Sequence, residues 1–214
     1  MTYSIVAFDP DTASWGVAVA SKAMCVGAHV PWGSVGVGAV ATQAWHDLRY
    51  GYEGLAALHD GLAANEVIER LTGTDAESIY RQLGVVDAKG RTASFTGPEC
   101  LPWAGGFAGD GWAVQGNILS GPHVVDAMAE AYEASRGAFA SRLLTALLAG
   151  DRAGGDRRGR QSASVKIWAA PPTDNPDRGG IALFLRVDDA VLPVDDLQTM
   201  QARVAEDPGL LFCP

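Results

Sequence analysis

The first forty residues alternate between short apolar runs and turn residues. Residues 3–8 and 15–20 are mainly apolar, and the segment DPDTAS between them has turn chemistry. Two further β-rich runs, 25–30 and 35–42, flank the turn residues 31–34. Because the first two runs, 3–8 and 15–20, are mainly apolar on both faces, they are typical of strands that are covered on both sides. The chain is therefore predicted to open with a β-hairpin inside a buried sheet.

The middle of the chain has helical periodicity. Apolar residues between 52 and 83 recur at three- and four-residue spacing and predict three helical pieces, the last beginning at the capping-box spacing of Thr74 and Glu77. A hairpin over 83–95 and a strand over 112–119 follow. Two more helices are then predicted, the first beginning at Pro122 and the second ending at Gly150.

The last third of the chain returns to strands. A Gly- and Arg-rich loop, residues 151–161, leads into a predicted strand over 162–168, and residues 174–180 turn the chain into a strand over 181–187. A final helix is predicted from Pro193. This order of elements predicts a layered α/β (α+β) fold with largely antiparallel pairing. We expect a single domain over residues 1–214, since no repeat or linker composition interrupts the chain.

Composition narrows the class of function. A chain that is 48% apolar can form a packed core, while a net charge of −9 and a pI near 4.8 argue against a phosphate backbone as partner. No apolar run is long enough to span a membrane. Three cysteines without a CxxC pair favour a reducing, cytoplasmic compartment. We expect a small-molecule substrate or ligand, no nucleic acid and no membrane; a homo-oligomer is an open alternative.

Motifs for cofactors and metals are absent or out of place. Residues 36–41 match G-x-G-x-x-A, but they lie in an apolar β-like run and do not open a helix. The four histidines lack the spacing of a helical metal pair, and no two cysteines have zinc-ligand spacing. We therefore expect no cofactor and no metal.

The second residue is a candidate nucleophile. The pair Met1-Thr2 is a substrate pattern for removal of the initiator methionine, which would free the amine of Thr2. A free α-amine has a pKa of about 7.7–8.0 and suits a general base at neutral pH. Thr2 would then carry nucleophile and base together. Removal of Met1 without any functional consequence is the open alternative.

Longer stretches resemble known families. Residues 2–22 resemble the first β-hairpin of Ntn-hydrolases, including proteasome-like subunits. The wider chain is similar to the family catalogued as domain of unknown function 1028, through SIVA (4–7), GVAVASK (16–22), VPW (30–32), GAVATQ (38–43), RQLGVVD (81–87), VQGNIL (114–119) and GGDRRGRQSA (154–163). This resemblance implies an Ntn-hydrolase-like, four-layer αββα sandwich. It implies no particular reaction, because a fold does not define one.

The resemblance to Ntn-hydrolases suggests hydrolysis of a small amide or peptide-like metabolite. Thr2 is the expected nucleophile; alignment of the hairpin instead places the nucleophile position nearer Tyr3 or Ser4, and Ser4 would need a further cleavage. We expect Lys22 to depress the pKa of the hydroxyl or amine, and Asn117 to donate to the oxyanion. Thr2, Lys22 and Asn117 are predicted to line one pocket. The candidate substrate-binding residues are His29, Gln43, His46, Asp156, Arg158, Arg160, Gln161 and Ser162.

Structural roles are open for several of these residues. Lys22 is also compatible with an exposed charge at a strand end, and Asn117 with a turn cap. Two other classes of function remain: a binding module that holds an acidic or amide metabolite through the Arg-rich loop, and an interaction protein with Trp32, Trp45 and Trp103 as contact anchors.

Overall fold

The amino-terminal hairpin lies at the centre of the larger of two sheets. In the computed structural model, which describes residues 2–171 and 180–211, strand β1 (Thr2–Asp9) pairs antiparallel with β2 (Ser14–Ser21). Both strands are almost completely buried, as their two-sided apolar pattern predicts. The remaining strands and longer helices are β3 Pro31–Ser34, β4 Gly38–Ala44, α1 Arg49–His59, α2 Ala64–Gly73, β5 Arg81–Asp87, β6 Thr92–Thr96, β7 Gly105–Gly109, β8 Trp112–Asn117, α3 His123–Ala134, α4 Phe139–Arg152, β9 Ser162–Trp168, β10 Ile181–Val187 and α5 Pro193–Glu206.

The strands form two antiparallel sheets. The larger sheet has the order β10-β9-β2-β1-β8-β7, and the smaller has the order β3-β4-β5-β6. Strand β1 is hydrogen-bonded to β2 on one side and to β8 on the other, with Thr2 directly opposite Asn117. The pairing therefore brings the second residue of the chain beside a residue 115 positions away.

Three apolar clusters separate four layers. The first joins the large sheet to α3, α4 and α5, and the third joins the small sheet to α1 and α2. The second lies between the sheets and includes Val6, Val17 and Val86. The predicted four-layer αββα arrangement with antiparallel sheets is confirmed.

The layer between the sheets has two chemically different ends. We call one the apolar end; its members are Val6, Trp15, Val17, Ala39, Val86, Ala113 and Trp168. We call the other the polar end; its members are Thr2, Ser4, Gln43, Gln82, Gln115 and Asn117, all of them buried. Because side chains alternate between the faces of a strand, Thr2, Ser4 and Val6 all point into this layer from β1.

Several local predictions were wrong. Residues 31–34, expected as a turn, form edge strand β3, where a proline at the first position costs no ladder hydrogen bond. The β-rich run 25–30 instead contains a short 3-10 helix, Val26–Ala28, since here the chain must leave the large sheet for the small one. The helix expected after Thr74 is only a 3-10 turn, Ser78–Tyr80, because β5 already begins at Arg81.

Strand β7 was not predicted from the sequence. Its glycines are, as a local pattern, typical of a loop. In the structure Gly106 allows close contact with β8, because a Cβ there would lie 2.5 Å from the carbonyl oxygen of Val114. The strands predicted over 162–168 and 181–187 are confirmed, while the turn expected over 174–180 lies mostly outside the described residues. None of the helices in the described ranges has the length and apolar character needed to cross a membrane.

Candidate active site

The side-chain amides of the polar end form a network with the Ser4 hydroxyl that joins the two sheets. Ser4 Oγ donates to Gln43 Oε1 at 2.6 Å and accepts from Gln115 Nε2 at 2.6 Å. Gln43 Nε2 in turn donates to Gln82 Oε1 at 2.8 Å. All four side chains are buried, so each hydrogen bond replaces one that water would otherwise make. A neutral network of this kind fixes the relative position of the sheets.

The same network holds the backbone of Thr2. The Thr2 carbonyl accepts from Gln43 Nε2 at 3.4 Å and from Asn117 Nδ2 at 3.5 Å. Asn117 Nδ2 also donates to Gln82 Oε1 at 2.9 Å. The hydroxyl of Thr2, a residue only 6% exposed, lies 3.3 Å from Ser21 Oγ. Residue 2 is therefore positioned from both sheets, and its hydroxyl has a second hydroxyl beside it.

One glycine makes room for the network. A Cβ on Gly84 would lie 2.2 Å from Gln115 Oε1, so only glycine fits at this position of β5 while Gln115 keeps its place. Gln115 Oε1 is buried and has no protein donor within the described residues. Sequence reasoning selected Gln43 and Asn117 but missed Gln82 and Gln115; two polar residues inside otherwise apolar strands were the signal.

Tyr3 anchors the other face of β1. Its hydroxyl donates to Asp151 Oδ1 at 3.1 Å, and Arg160 Nε donates to both Asp151 oxygens at 2.7 and 2.8 Å. Burial, followed by the charge of Asp151, raises the pKa of Tyr3 well above its usual value, so the phenol stays neutral. The start of β1 is thus tied to α4 and to the loop before β9. Neither Tyr3 nor Asp151 was among the candidate site residues selected from the sequence.

Asp156 ties the end of β2 to the Arg-rich loop. Its Oδ2 accepts from the Lys22 backbone N–H at 2.7 Å, and its Oδ1 accepts from the Arg158 N–H at 2.8 Å. The Arg158 guanidinium also pairs with Asp156 Oδ2 at 3.2 Å. Ser162 Oγ donates to the Ala23 carbonyl and accepts from a backbone N–H in the same segment. The structure gives Asp156, Arg158 and Ser162 internal partners that shape this corner.

A charged cavity opens beside β2. It has a volume of about 600 Å³ and is lined by Lys22, Arg160, Gln161, Asp189, Ala190 and Val191. Lys22 Nζ donates to the Arg160 carbonyl at 3.2 Å, and Gln161 Nε2 donates to Asp189 Oδ1 at 3.2 Å. Lys22, Arg160 and Gln161 therefore lie on the wall of one cavity.

An apolar cavity opens on the other side, beside β8. It has a volume of about 310 Å³ and is lined by Ala44, Trp45, Tyr80, Glu99, Cys100, Leu101, Asn117 and Ile118. Lys22 and Asn117 therefore line two different cavities and not the one pocket predicted for them with Thr2, because they lie at the ends of strands on opposite sides of β1, which carries Thr2. Two residues of the wall of the apolar cavity, Ala44 and Ile118, have left-handed backbone conformations, with φ angles of 69° and 50°. This conformation is uncommon for any residue other than glycine and is especially costly for the β-branched Ile118. Such conformations cluster at functional sites.

Arg81 supports the wall of the apolar cavity. This residue is 3% exposed; it donates to the Trp45 carbonyl, to Asp75 Oδ2 at 2.8 Å and to Glu77 Oε2 at 3.0 Å. Its hydrogen bond is the main cause that lowers the pKa of Asp75 to about 2. Trp45, 70% exposed, therefore lies on a loop that is held by the buried Arg81 and its ion pairs. The sequence signal was an arginine at the start of an apolar strand, with acidic residues nearby.

Two candidate histidines come together. The rings of His29 and His46 lie 5.5 Å apart between centroids. Partial burial, and next the neighbouring His29, lowers the pKa of His46. Within the described ranges there is no group of three or more His, Cys, Asp or Glu side chains suited to a metal ion.

The fold and this site define a four-layer α/β protein with a polar centre at the start of its first strand. The chain belongs to the family of unknown function DUF1028, whose model matches residues 2–197. A crystal structure of a DUF1028 protein from Silicibacter pomeroyi is similar to it, with 33% identity and a TM-score of 0.86, covering 95% of this chain and 86% of that one.

A weaker likeness is to Anbu, an ancestral beta-subunit from Yersinia bercovieri. It has 10% identity and a TM-score of 0.40, covering 99% of this chain and 98% of that one, and at that score it does not bear on the fold. No curated protein matches the chain.

Proposed function

We propose that this protein is an N-terminal-nucleophile amidohydrolase in which Thr2, freed by removal of Met1, attacks a small amide. One observation carries the proposal: Thr2 begins the central strand at the polar end, with its carbonyl held by Gln43 and Asn117 and its hydroxyl beside Ser21. Contacts that hold a nucleophile in one orientation favour its attack on a bound substrate, because less freedom is lost when the two react. The resemblance of the first hairpin to Ntn-hydrolases supports the same role.

The chemistry requires only Thr2, the substrate and water. The Thr2 oxygen bonds to the amide carbonyl carbon as its proton passes to the free α-amine of the same residue. That proton moves to the leaving nitrogen as the C–N bond breaks, which leaves an ester on Thr2 and a free amine. Water then attacks the ester, and its proton returns through the α-amine to the Thr2 oxygen as the carboxylic acid leaves.

Thr2 is favoured over Ser4 as the nucleophile. The Ser4 hydroxyl is fully buried and has a partner on each side, in Gln43 and Gln115. Freeing a Ser4 amine would also remove Tyr3, whose side chain anchors the strand to Asp151. Ser4 is therefore assigned to the network that supports Thr2.

Asn117 and Lys22 take modified roles in this proposal. The Asn117 amide nitrogen donates to Gln82 and to the Thr2 carbonyl, so Asn117 is a positioning residue for Thr2. The Lys22 ammonium lies in the charged cavity, where it can bind a substrate group.

A non-catalytic binding module is the second candidate. The low exposure of Thr2 favours it, because a nucleophile must be reached by its substrate. Such a module would use the same cavities to hold a small acidic or amide ligand without turnover.

Covalent labelling separates the two candidates. Untagged protein is treated with a β-lactone, which acylates threonine nucleophiles, and is analysed as intact mass and as peptides. We expect loss of Met1 and one adduct on the peptide that begins with Thr2. Thr2→Ala should abolish the adduct, and Thr199→Ala, on the exposed side of α5, should not. Retention of Met1 in every molecule, or an adduct that survives Thr2→Ala, would favour the binding module.

A further inference from the structure

We propose that the substrate is an amide that joins an apolar acyl group to a carboxylate, as an N-acyl amino acid does. The acyl group would occupy the apolar cavity, and the carboxylate would bind in the charged cavity. This inference rests on the proposed function, since it takes Thr2 as the reacting residue.

The position of Thr2 between the cavities sets the order of the substrate's parts. On one side Thr2 pairs with Asn117 of β8, which lines the apolar cavity. On the other side its hydroxyl contacts Ser21 of β2, and the next residue, Lys22, lines the charged cavity. A carbonyl at Thr2 would therefore have one cavity on each side.

The spacing suits a substrate of one or two amino-acid units beyond the scissile carbonyl. Neighbouring strands lie about 4.8 Å apart, so the two strands that flank β1 are about 10 Å from each other. An extended chain spans about 3.5 Å per residue. A carboxylate one or two units from the carbonyl therefore reaches from Thr2 to the end of β2.

The charges favour a carboxylate beside Lys22. Arg158 and Arg160 are paired with Asp156 and Asp151, whereas the Lys22 ammonium makes no ion pair in the described part of the chain and donates to the neutral carbonyl of Arg160. An ammonium without a counter-ion at a cavity wall is a ready partner for an acid. Asp189 also lines the charged cavity, but there it is accompanied by Lys22 and Arg160. The opposite orientation is disfavoured, because the residues that line the apolar cavity include the acidic Glu99 and no lysine or arginine.

The apolar cavity has the size of a single ring or a short alkyl chain. Its volume of about 310 Å³ lies at the lower end of small-molecule pockets. Trp45 and Leu101, which line it, are 70% and 62% exposed, so an apolar ligand in the cavity would remove part of their surface from water.

Ligand titration into the Met1-processed Thr2→Ala variant tests binding without turnover. The probes are N-phenylacetylglycine, its C-terminal carboxamide, and N-acetylglycine, measured by ligand-observed NMR and calorimetry. We expect the first to bind, and each of the others to bind about five- to tenfold more weakly, as expected for one partly exposed charge pair or one buried ring.

Two further substitutions, each made in the Thr2→Ala background, test which cavity binds the carboxylate and which binds the acyl group. Lys22→Met should remove the preference for carboxylate over carboxamide and keep the preference for phenylacetyl, whereas Lys89→Met, on an exposed turn, should change neither. Trp45→Ala should remove the phenylacetyl preference and keep the carboxylate preference, with Leu210→Ala as its exposed control.

The outcomes separate this inference from the proposed function. Equal affinity for acid and carboxamide, or no saturable binding of any probe, overturns the inference even if β-lactone labels Thr2. Binding with both preferences supports the ligand class, and if the wild-type protein then takes no label at Thr2, the hydrolase proposal alone fails.

Discussion

The apolar end and the polar end are built from the same strands but differ in chemistry. Val6 and Ser4 lie two residues apart on one face of β1; the first packs among valines and tryptophans, and the second is bonded to Gln43 and Gln115. Apolar burial stabilises any well-packed arrangement, whereas amide hydrogen bonds require particular partners at particular positions. The comparison indicates that the apolar end supplies stability and the polar end supplies position.

The largest expected effect is at the apolar end. Trp15→Ala removes a buried ring that packs on Phe8 and donates to the Asp87 carbonyl at 3.0 Å. We expect the free energy of unfolding in urea to fall by about 3–5 kcal/mol. Trp45→Ala is the control, since an exposed tryptophan should cost at most about 0.5 kcal/mol. Similar losses in the two variants would contradict the assignment of stability to the apolar end.

A smaller effect is expected at the polar end. Gln82→Met keeps the volume of the side chain but removes the acceptor for Gln43 and Asn117 and the donor to Gly116. Leaving buried amides without partners should lower the free energy of unfolding by about 2–3 kcal/mol. Gln201→Met, at a partly exposed position, should be close to neutral. A neutral Gln82→Met would contradict the expectation that Gln43 and Asn117 depend on Gln82 as their buried partner.

The ionic cluster on the opposite face of β5 should show its contribution in acid. The pKa of Asp75 is lowered to about 2 from 3.8, chiefly by the hydrogen bond from Arg81. A depressed carboxyl pKa stabilises the fold above the unfolded pKa, and this stabilisation is lost as the pH falls from about 4 towards 2, by up to about 2 kcal/mol. Urea unfolding at several pH values should therefore show a smaller acid-dependent loss in Asp75→Asn than in the wild type. Identical pH dependence would contradict the role of this pair.

The smallest effect on stability is expected for Thr2 itself. Among the described residues its hydroxyl makes one hydrogen bond, at 3.3 Å, so Thr2→Ala should change the free energy of unfolding by at most about 1 kcal/mol. Thermal unfolding compared with Thr199→Ala measures this difference. A loss as large as that of Gln82→Met would indicate a structural residue and weaken its assignment as nucleophile.

Local patterns predicted much of the fold. The hairpin of β1 and β2, the strands 162–168 and 181–187 and the final helix follow from apolar periodicity and turn residues. The pattern failed at β3 and β7, because an edge position tolerates proline and glycine in a strand and only the neighbouring strand reveals that position.

The candidate site was only partly visible in the sequence. Thr2, Gln43 and Asn117 were selected, and the structure joins them through hydrogen bonds to the Thr2 carbonyl. Gln82, Gln115 and Arg81 were not selected, since the sequence pattern of a single polar residue in an apolar strand is the same whether that residue faces solvent or another amide.

The sequence by itself determined the alternation of each strand, and hence that Thr2, Ser4 and Val6 share one face. The tertiary structure decided which residues contact that face. Pairing of β1 with β8 placed Asn117 opposite Thr2, and packing of the second sheet brought Gln43 and Gln82 within hydrogen-bond distance. These contacts join residues 35 to 115 positions apart, and such pairings depend on the register and stacking of whole sheets, which no local pattern specifies.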